Sequence, residues 1–394
     1  MHILYLSLQR IPGRGTHTIN IMNMCEAFSQ LPEVNVTLLV NRNNDFKLEP
    51  NTDIWNFYNV KSTFEIIFLP QLSRIIGKIT LLKKLFTLFN LASALFKEFR
   101  NRREPFIVFS RHHKVVKLMK VIQGIAKNRA YRGYFCELHD LFTGPVYLKS
   151  YAGLIVISSA LKKDLIDKGI KVPENRILVA QDGVAIHRYE NFPEKDSIYS
   201  EYGLPRGKKI IAYTGRLAKG KGVDILIQAF AGLKNRKDLL LLLVGQIFDD
   251  EYREIAVAHG LENIIFTGFV PPSRVRAFQL IADILVLPSN RELPYFKYTS
   301  PIKLFEYMAA GKPIAASALD SISEIIRHKE NGILFNPSDP QSLADSILYL
   351  LDHKDFSAKI AARAKADVLD YTWLKRAENI HRFIQQHINE DTKD

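Results

Sequence analysis

The chain has 394 residues, of which 47% are hydrophobic and 24% charged; this is enough for two globular domains and argues against a low-complexity protein. Residues 1–190 hold 27 Lys and Arg against 15 Asp and Glu, whereas the rest hold 27 against 26, which predicts an anionic partner for the first half, either nucleic acid or a membrane surface. Cys25 and Cys136 are isolated, which argues against a disulfide framework or a structural zinc site and is typical of a cytosolic protein.

Short apolar runs alternate with helical stretches through the first half. The opening run, residues 2–8, has no basic region or cleavage site, so we interpret it as a buried strand and not as a signal peptide. Gly13 and Gly15 follow it in a turn before the helical run 18–31, without the full GxGxxG of a dinucleotide site. Further strands are predicted at residues 34–40, 65–70, 106–110, 134–142, 176–184 and at the start of 154–166.

Residues 72–103 form a basic and apolar helical stretch in which Glu98 is the one acidic residue. Two interpretations stay open. A helix lying on a membrane surface has this composition, and so does a helix that packs Phe and Leu on a sheet with its lysines toward water. The longest mostly apolar run, residues 85–96, is too short to span a bilayer.

The second half repeats the alternation after a less regular stretch, residues 185–208. Its strands are predicted to begin at Ile210 and Leu239 and to cover residues 264–270, 283–288 and 313–317. The spacing predicts an α/β protein with two Rossmann-like, doubly wound parallel sheets facing across a cleft. The predicted domains are residues 1–190 and 191–370, and residues 371–394 form a last helix that crosses back to the first domain.

Residues 210–230 predict a phosphate site. An apolar strand ends at Gly215, a basic loop carries Arg216, Lys219 and Lys221, and an amphipathic helix follows. Such a turn directs backbone N–H groups and a helix N-terminus at an anion, and three cations suit a diphosphate. The loop is nearly a Walker A motif, but Gly222 stands where Mg²⁺ binding needs Ser or Thr. The alternative is an ordinary lysine-rich solvated turn.

Residues 299–317 predict a second anion-binding element. Ser300 is a favourable N-cap, Pro301 suits the first helical position, and Gly311 ends the helix. Lys303 then falls at the third helical position, where the helix dipole disfavours a cation unless an anion is bound there. Glu306 shares its face, so a weak Lys303–Glu306 surface pair is the alternative.

Taken in order, these segments resemble family 4 retaining glycosyltransferases of the GT-B fold, over essentially the whole chain. The resemblance rests on the ordered set and not on any one motif. Its members are PGRGTH, ELHD, VISSALKKDL, VAQDGV, YTGRLAKGKGVDILIQAF, LLVGQ, FTGFVP, ADILVLPS and EYMAAGKPIAAS.

The resemblance implies a nucleotide diphosphate sugar, UDP- or GDP-linked, as the donor, with no cofactor and no metal. It implies catalytic roles for three residues: His139 against the transferred sugar, and Arg216 and Lys221 on the diphosphate. The remaining implied donor contacts are Gly13, Gly15, Gly245, Val270, Ser300, Pro301, Ile302, Lys303 and Glu306, with Glu306 on the ribose and the main chain near Val270 on the base.

One position departs from the pattern. The family usually carries Glu-x7-Glu, and Tyr298 stands in place of the first glutamate, which normally contacts the donor sugar. Glu292 is nearby but at the wrong spacing. A related subset with SPxK before the second glutamate is similar to this sequence, so we expect activity to be retained, and the identity of the donor sugar stays open.

The resulting expectation is a metal-independent transferase of surface polysaccharide or glycolipid synthesis. Its acceptor would be a glycan, a polyprenyl-linked sugar or a glycolipid, reached from the cytoplasm or the inner membrane face through the basic first domain. Two alternatives remain: a GT-B epimerase or phosphorylase, and a basic nucleic-acid-binding protein. No RNP-like or helix-turn-helix motif is evident, so no nucleic-acid partner is expected.

Overall fold

The computed structural model describes residues 1–69, 80–141, 151–169, 172–190, 195–248, 250–290, 292 and 297–390. The chain divides into two compact units. The first unit is Met1–Gln181 with Trp373–Asp394, and the second is Asp182–Thr372. The chain therefore passes from one unit to the other after Gln181 and returns before Trp373.

A parallel sheet of seven described strands forms the centre of the first unit, in the order β3-β2-β1-β4-β5-β6-β7. The order reverses direction between β1 and β4, which is where ligands bind in doubly wound sheets. The strands are β1 (His2–Ile11), β2 (Asn35–Arg42), β3 (Glu65–Leu69), β4 (Phe106–Ser110), β5 (Tyr131–Leu138), β6 (Gly153–Val156) and β7 (Ile177–Val179).

Helices of the first unit follow their strands as right-handed crossovers require. They are α1 (Thr16–Ser29), α2 (Ile54–Tyr58), α3 (Thr80–Asn101), α4 (Val116–Ala126), α5 (Ser159–Asp167) and, from the end of the chain, α14 (Trp373–Glu390). The last helix packs on α1, β5 and β6. Gly153 makes room for it, because a Cβ there would lie 2.6 Å from the Phe383 ring.

The second unit repeats the plan with six described strands in the order β10-β9-β8-β11-β12-β13, again all parallel. Its strands are β8 (Lys209–Thr214), β9 (Leu239–Val244), β10 (Ile264–Gly268), β11 (Ile284–Leu287), β12 (Ile314–Ser317) and β13 (Ile333–Phe335). Its helices are α6 (Lys195–Glu201), α7 (Val223–Gly232), α8 (Glu251–Ala258), α9 (Pro272–Ile281), α10 (Ile302–Ala310), α11 (Asp320–Ser323), α12 (Pro340–Asp352) and α13 (Lys354–Asp367).

Both faces of the second sheet are covered, as expected of a parallel sheet. Along β8, Ile210 and Ala212 pack into the core on one face, and Ile211 and Tyr213 pack into the core on the other. This explains why the strand is a continuous apolar run in the sequence. The α/β architecture of two doubly wound sheets is thereby confirmed.

Residues 72–79 of the basic stretch 72–103 lie outside the described residues. Within α3, Leu91, Leu95 and Phe99 are buried at four-residue spacing, whereas the Phe89 side chain is 69% exposed. The buried stripe is the packing expected of a helix on a sheet. No helix in the described part of the chain combines the length and apolar character needed to cross a membrane.

Gly222, the N-cap of α7, connects the sequence pattern to the tertiary structure. Its φ of +70° is in the left-handed region, and a Cβ there would overlap the main-chain oxygen of Pro288, just after β11. We expect Gly222→Ala to destabilise the protein by about 3 kcal/mol. Gly203→Ala is the matched control, because its φ is +60° but no atom lies within 4 Å; its cost is about 1 kcal/mol. The free energy of unfolding is measured in urea by circular dichroism. Equal decreases for Gly222→Ala and Gly203→Ala would contradict this expectation.

Candidate active site

Glycines bring three strand ends of the second unit close together. Gly215 and Gly245 follow β8 and β9 with φ values of +133° and +143°, and a Cβ on Gly245 would overlap the Gly215 carbonyl. Gly245 also forms an isolated bridge with Gly268 at the end of β10. The main chain is therefore closely packed at the carboxyl end of the sheet, where an anion can approach N–H groups without side-chain interference.

Lys303, on α10, lies directly against Gly215. A Cβ on Gly215 would overlap its Nζ, so the glycine is what admits the ammonium group. Nζ donates a hydrogen bond to the Tyr213 hydroxyl (2.8 Å) and lies 4.1 Å from that ring's centroid. Burial, with the like charges of Lys221 and Arg216, holds the Lys303 pKa well below its ordinary value, although Glu306 acts in the opposite direction.

Lys221 and Arg216 complete a group of three basic side chains that we call the cation cluster, with Lys303 as its third member. Lys221 is half-buried, and burial and the charge of Arg216 lower its pKa to about 8. Arg216 is exposed, and its guanidinium lies 5.7 Å from the Phe248 ring centroid. The sequence prediction named all three residues, and the electrostatic coupling of the cluster shows that they lie close together.

Glu306 is held by a buried hydrogen-bond network on the other side of the cluster. Gln279 donates through Nε2 to the Glu306 carboxylate and to the Thr214 hydroxyl, both at 3.0 Å, and accepts from the Tyr189 hydroxyl at 2.6 Å. Burial raises the Glu306 pKa, which Gln279 and Lys303 partly offset. The sequence reasoning missed Gln279, and the signal was a polar residue among the apolar positions of α9.

The start of α10 differs from the prediction. Ser300 is not the N-cap, because Pro301 occupies that position and the helix begins at Ile302, which makes Lys303 its second residue. The Ser300 hydroxyl instead accepts a hydrogen bond from the Asp182 N–H at 2.8 Å. Pro301 has no side-chain acceptor for the first-turn amides of α10, so these donors are well suited to an external anion.

Val270 lies two residues beyond β10 with its side chain in the core, 5% exposed. The predicted contact of its main chain with the base stays a prediction. Tyr298, at the position of the missing glutamate, is also buried, 8% exposed. Glu292 is exposed.

In the first unit, His139 lies just past the end of β5 and lines a cavity of about 120 Å³ with Ser7, His17 and Arg111. Its Nδ1 faces the Arg111 guanidinium at 2.8 Å, and its Nε2 lies 2.5 Å from the Glu137 carboxylate. Burial and the Arg111 charge lower its pKa to about 3, so the imidazole is neutral at physiological pH.

The glycine turn of the first unit lies near this cavity through α1. Gly13 is tightly enclosed, since its N–H donates to the Tyr58 hydroxyl (2.6 Å) and a Cβ would lie 2.9 Å from the Arg10 carbonyl oxygen. Gly15, the N-cap of α1, has no atom within 4 Å of a built Cβ. His17, in the first turn of α1, contacts His139 edge to face at 6.1 Å.

Metal ligands are not grouped in the described residues: no cluster of three or more His, Cys, Asp or Glu side chains could hold an ion there. Cys25 and Cys136 are both free and buried. The side chains brought together are cations and the half-buried Glu306 carboxylate in the second unit, and a neutral histidine in the first.

Comparison with known proteins extends this description. Residues 194–367 match the family model described as glycosyl transferases group 1. An uncharacterized glycosyltransferase of Methanocaldococcus jannaschii is 28% identical over 254 residues, which is 61% of this chain and 63% of that protein. A D-inositol 3-phosphate glycosyltransferase of Corynebacterium aurimucosum is 27% identical over 245 residues, 58% of this chain and 56% of that protein. The matched region spans less than two thirds of either relative.

Among solved structures, Anabaena HepE in complex with UDP has a TM-score of 0.73 at 18% identity, covering 98% of this chain and 100% of that one. The two-domain α/β fold is GT-B. Together the matches support a group 1 glycosyltransferase.

The cation cluster predicts an abnormal titration that needs no substrate to observe. We expect Lys221 to titrate near pH 8, because burial and Arg216 disfavour its charged form. The measurement is NMR of reductively ¹³C-methylated lysines, with Lys221→Arg used to identify the signal. Arg216→Ala should raise the midpoint, since it removes one repulsion. A Lys221 midpoint above pH 10 in the intact protein would contradict the described burial of the cluster.

Proposed function

We propose that this chain is a retaining glycosyltransferase of family 4 that uses a nucleotide diphosphate sugar, UDP- or GDP-linked. Its acceptor would be a glycan or lipid-linked sugar of surface polysaccharide or glycolipid synthesis. The observation that carries the proposal is the cation cluster of Arg216, Lys221 and Lys303, in which burial and mutual repulsion depress the pKa of both lysines. Bringing like charges together costs free energy. A cation cluster at the point where the strand order of the sheet reverses therefore indicates an anionic ligand.

The charge balance favours a diphosphate over a single carboxylate. Among the named groups, three cations and the Glu306 carboxylate carry two net positive charges when all are ionised, which matches in magnitude the charge of a sugar diphosphate diester. The uncapped first turn of α10 adds amide donors to the same region. Anabaena HepE, which shares the fold, was solved with UDP and, in a second structure, with UDP-glucose, which supports a nucleotide sugar as the donor.

The cluster would act mainly on the leaving group. Negative charge builds on the nucleoside diphosphate as the glycosidic bond breaks, and preorganised cations stabilise that charge more than they stabilise the bound donor. Arg216, Lys221 and Lys303 supply the positive charge that a divalent metal supplies in other diphosphate sites. Metal independence is part of the proposal.

The remaining assignments follow the resemblance. Glu306, held by Gln279, would accept hydrogen bonds from the ribose, and the main chain of Gly245 and Val270 would border the nucleotide. Neutral His139 would contact the transferred sugar, and Gly13 and Gly15 would let their loop approach the donor phosphates and sugar. Tyr298 is buried where the family has glutamate, which supports an altered contact to the donor sugar.

The decisive experiment compares two cations of one loop. We expect Arg216→Ala to lower kcat about 100-fold or more, on the order of 3 kcal/mol of transition-state stabilisation. Lys219→Ala, equally exposed in the same loop, is the matched control and should change kcat less than about 3-fold. UDP-, GDP- and ADP-sugars are first screened for thermal stabilisation, since a bound donor raises stability by mass action.

The same assay tests the alternatives. A radiolabelled donor sugar should appear in an acceptor with the anomeric configuration of the donor. Label recovered as an epimerised nucleotide sugar or a sugar phosphate would instead identify an epimerase or a phosphorylase. Undiminished turnover in Arg216→Ala would remove the basis of the proposed mechanism.

The acceptor is proposed to bind the basic first half of the chain. The excess of 27 basic over 15 acidic residues in positions 1–190 would attract an anionic lipid surface carrying the acceptor. The Corynebacterium relative is named for an anionic acceptor, D-inositol 3-phosphate, which is in keeping with this distribution.

Lipid dependence is measured by co-sedimentation. We expect binding to vesicles containing about one third phosphatidylserine and little binding to pure phosphatidylcholine, with the difference lost at high salt because counterions screen the attraction. A nucleic-acid gel shift under the same conditions is the control for non-specific charge. Binding indifferent to lipid charge would contradict a membrane role for this half.

A further inference from the structure

We propose that Arg376, on the C-terminal helix α14, is a positioning residue: acting through Glu137, it holds His139 in one tautomer at the cavity of the first unit. The role of His139 toward the sugar rests on the proposed function above. The geometry of Arg376, Glu137 and His139 does not depend on that proposal.

The tautomer of His139 is decided by its two neighbours. An arginine guanidinium can only donate, so the Nδ1 atom beside Arg111 must accept, at 2.8 Å. The proton is then on Nε2, which donates to the Glu137 carboxylate. Moving the proton from Nε2 to Nδ1 would place an N–H against the Arg111 guanidinium and a lone pair against the Glu137 carboxylate. With the ring placed as it is, the two neighbours therefore admit one tautomer.

Glu137 can accept from His139 only while it remains ionised and correctly rotated. It is fully buried in β5, and burial alone would raise its pKa, but the Arg376 charge, the His139 hydrogen bond and the Arg111 charge together hold that pKa well below its usual range. Arg376 Nη2 donates to Oε2 at 2.9 Å, which leaves Oε1 to face His139 and the Arg111 Nε, 3.4 Å away. Arg376 thus selects the carboxylate oxygen that faces the histidine.

Arg376 is itself fixed at the point where the chain changes units. Its Nε donates to the Gln181 carbonyl (2.9 Å) and its Nη2 also approaches the Ala180 carbonyl (3.3 Å), the last residues of the first unit before the chain leaves it. Arg376 lies three residues after the chain returns. One side chain, 4% exposed, therefore connects both crossing segments to the carboxylate that orients His139.

A lysine could not replace this arrangement, because a single ammonium group has no planar fork to reach the carboxylate and a carbonyl in different directions. This separates a positioning role from simple charge compensation of Glu137. Compensating the charge of Glu137 needs only a cation, whereas positioning its carboxylate needs the guanidinium of Arg376.

The test uses Arg376→Met and Arg376→Lys in the full chain, with Arg382→Met, an exposed arginine on the same helix, as the matched control. Each variant is shown to be folded by circular dichroism before the assay. We expect Arg376→Met to lower kcat about 10-fold or more with donor KM changed less than about 3-fold, Arg376→Lys to restore kcat only in part, and Arg382→Met to leave both unchanged.

A second readout is independent of activity. In ¹⁵N-histidine spectra, assigned by comparison with His139→Gln, wild-type His139 should show one protonated and one unprotonated nitrogen, and in Arg376→Met the two should move toward each other as the tautomers mix. Should Arg376→Met not fold, Arg376→Lys carries both measurements.

Folded Arg376 variants with wild-type kcat, or with an unaltered His139 spectrum, would overturn the inference and leave Arg376 as a structural link only. If no nucleotide sugar is turned over by the wild type, the proposed function fails, and the imidazole spectrum alone then decides the role of Arg376.

Discussion

The repulsion among Arg216, Lys221 and Lys303 is the constraint on which the second unit depends. Moving an ammonium group out of water is costly, and placing it beside other cations costs more. The depressed pKa of Lys221 and Lys303 expresses that cost. A fold that needed these residues only for stability would gain by replacing Lys303 with an uncharged side chain. The proposed diphosphate would bring anions that compensate this charge.

Several local features exist to bring those cations together. Gly215 has no side chain, so Lys303 Nζ can lie against the main chain, and Tyr213 supplies both a hydroxyl acceptor and a ring face for the ammonium. Gly222 starts α7 in a conformation that avoids Pro288. Gln279 holds Glu306 in place from the neighbouring helix. Each is a small constraint, and together they leave little freedom to the cluster.

Local signals in the sequence were sufficient for most of this arrangement. A continuous apolar strand, a glycine turn and a helix start are all encoded within about 20 residues, so β8, its loop and α7 could be predicted from 210–230 alone. One failure has a non-local cause. The Ser300 hydroxyl is taken by the amide of Asp182, 118 residues away, and no pattern near Ser300 reveals this. The three-residue strand β13 is too short for a periodicity. Similarly, the partnership of Glu137 with Arg376 joins residues 239 positions apart, so the sequence reasoning recognised His139 but not what orients it.

The two units use buried charge in opposite ways. In the first, Glu137 lies between Arg111 and Arg376, so the charges attract one another within the protein and the histidine beside them stays neutral. In the second, the three basic groups of the cation cluster lie near Glu306, and burial with their mutual repulsion lowers the pKa of both lysines. Both clusters sit at strand ends near the point where a doubly wound sheet reverses its order. In the first cluster two arginines and one carboxylate leave a single positive charge, whereas in the second the three cations and Glu306 leave two when all are ionised. The larger excess among these named charges lies in the second unit, which is in keeping with the proposal that this unit holds the diphosphate and that His139 presents an uncharged hydrogen-bonding group to the sugar.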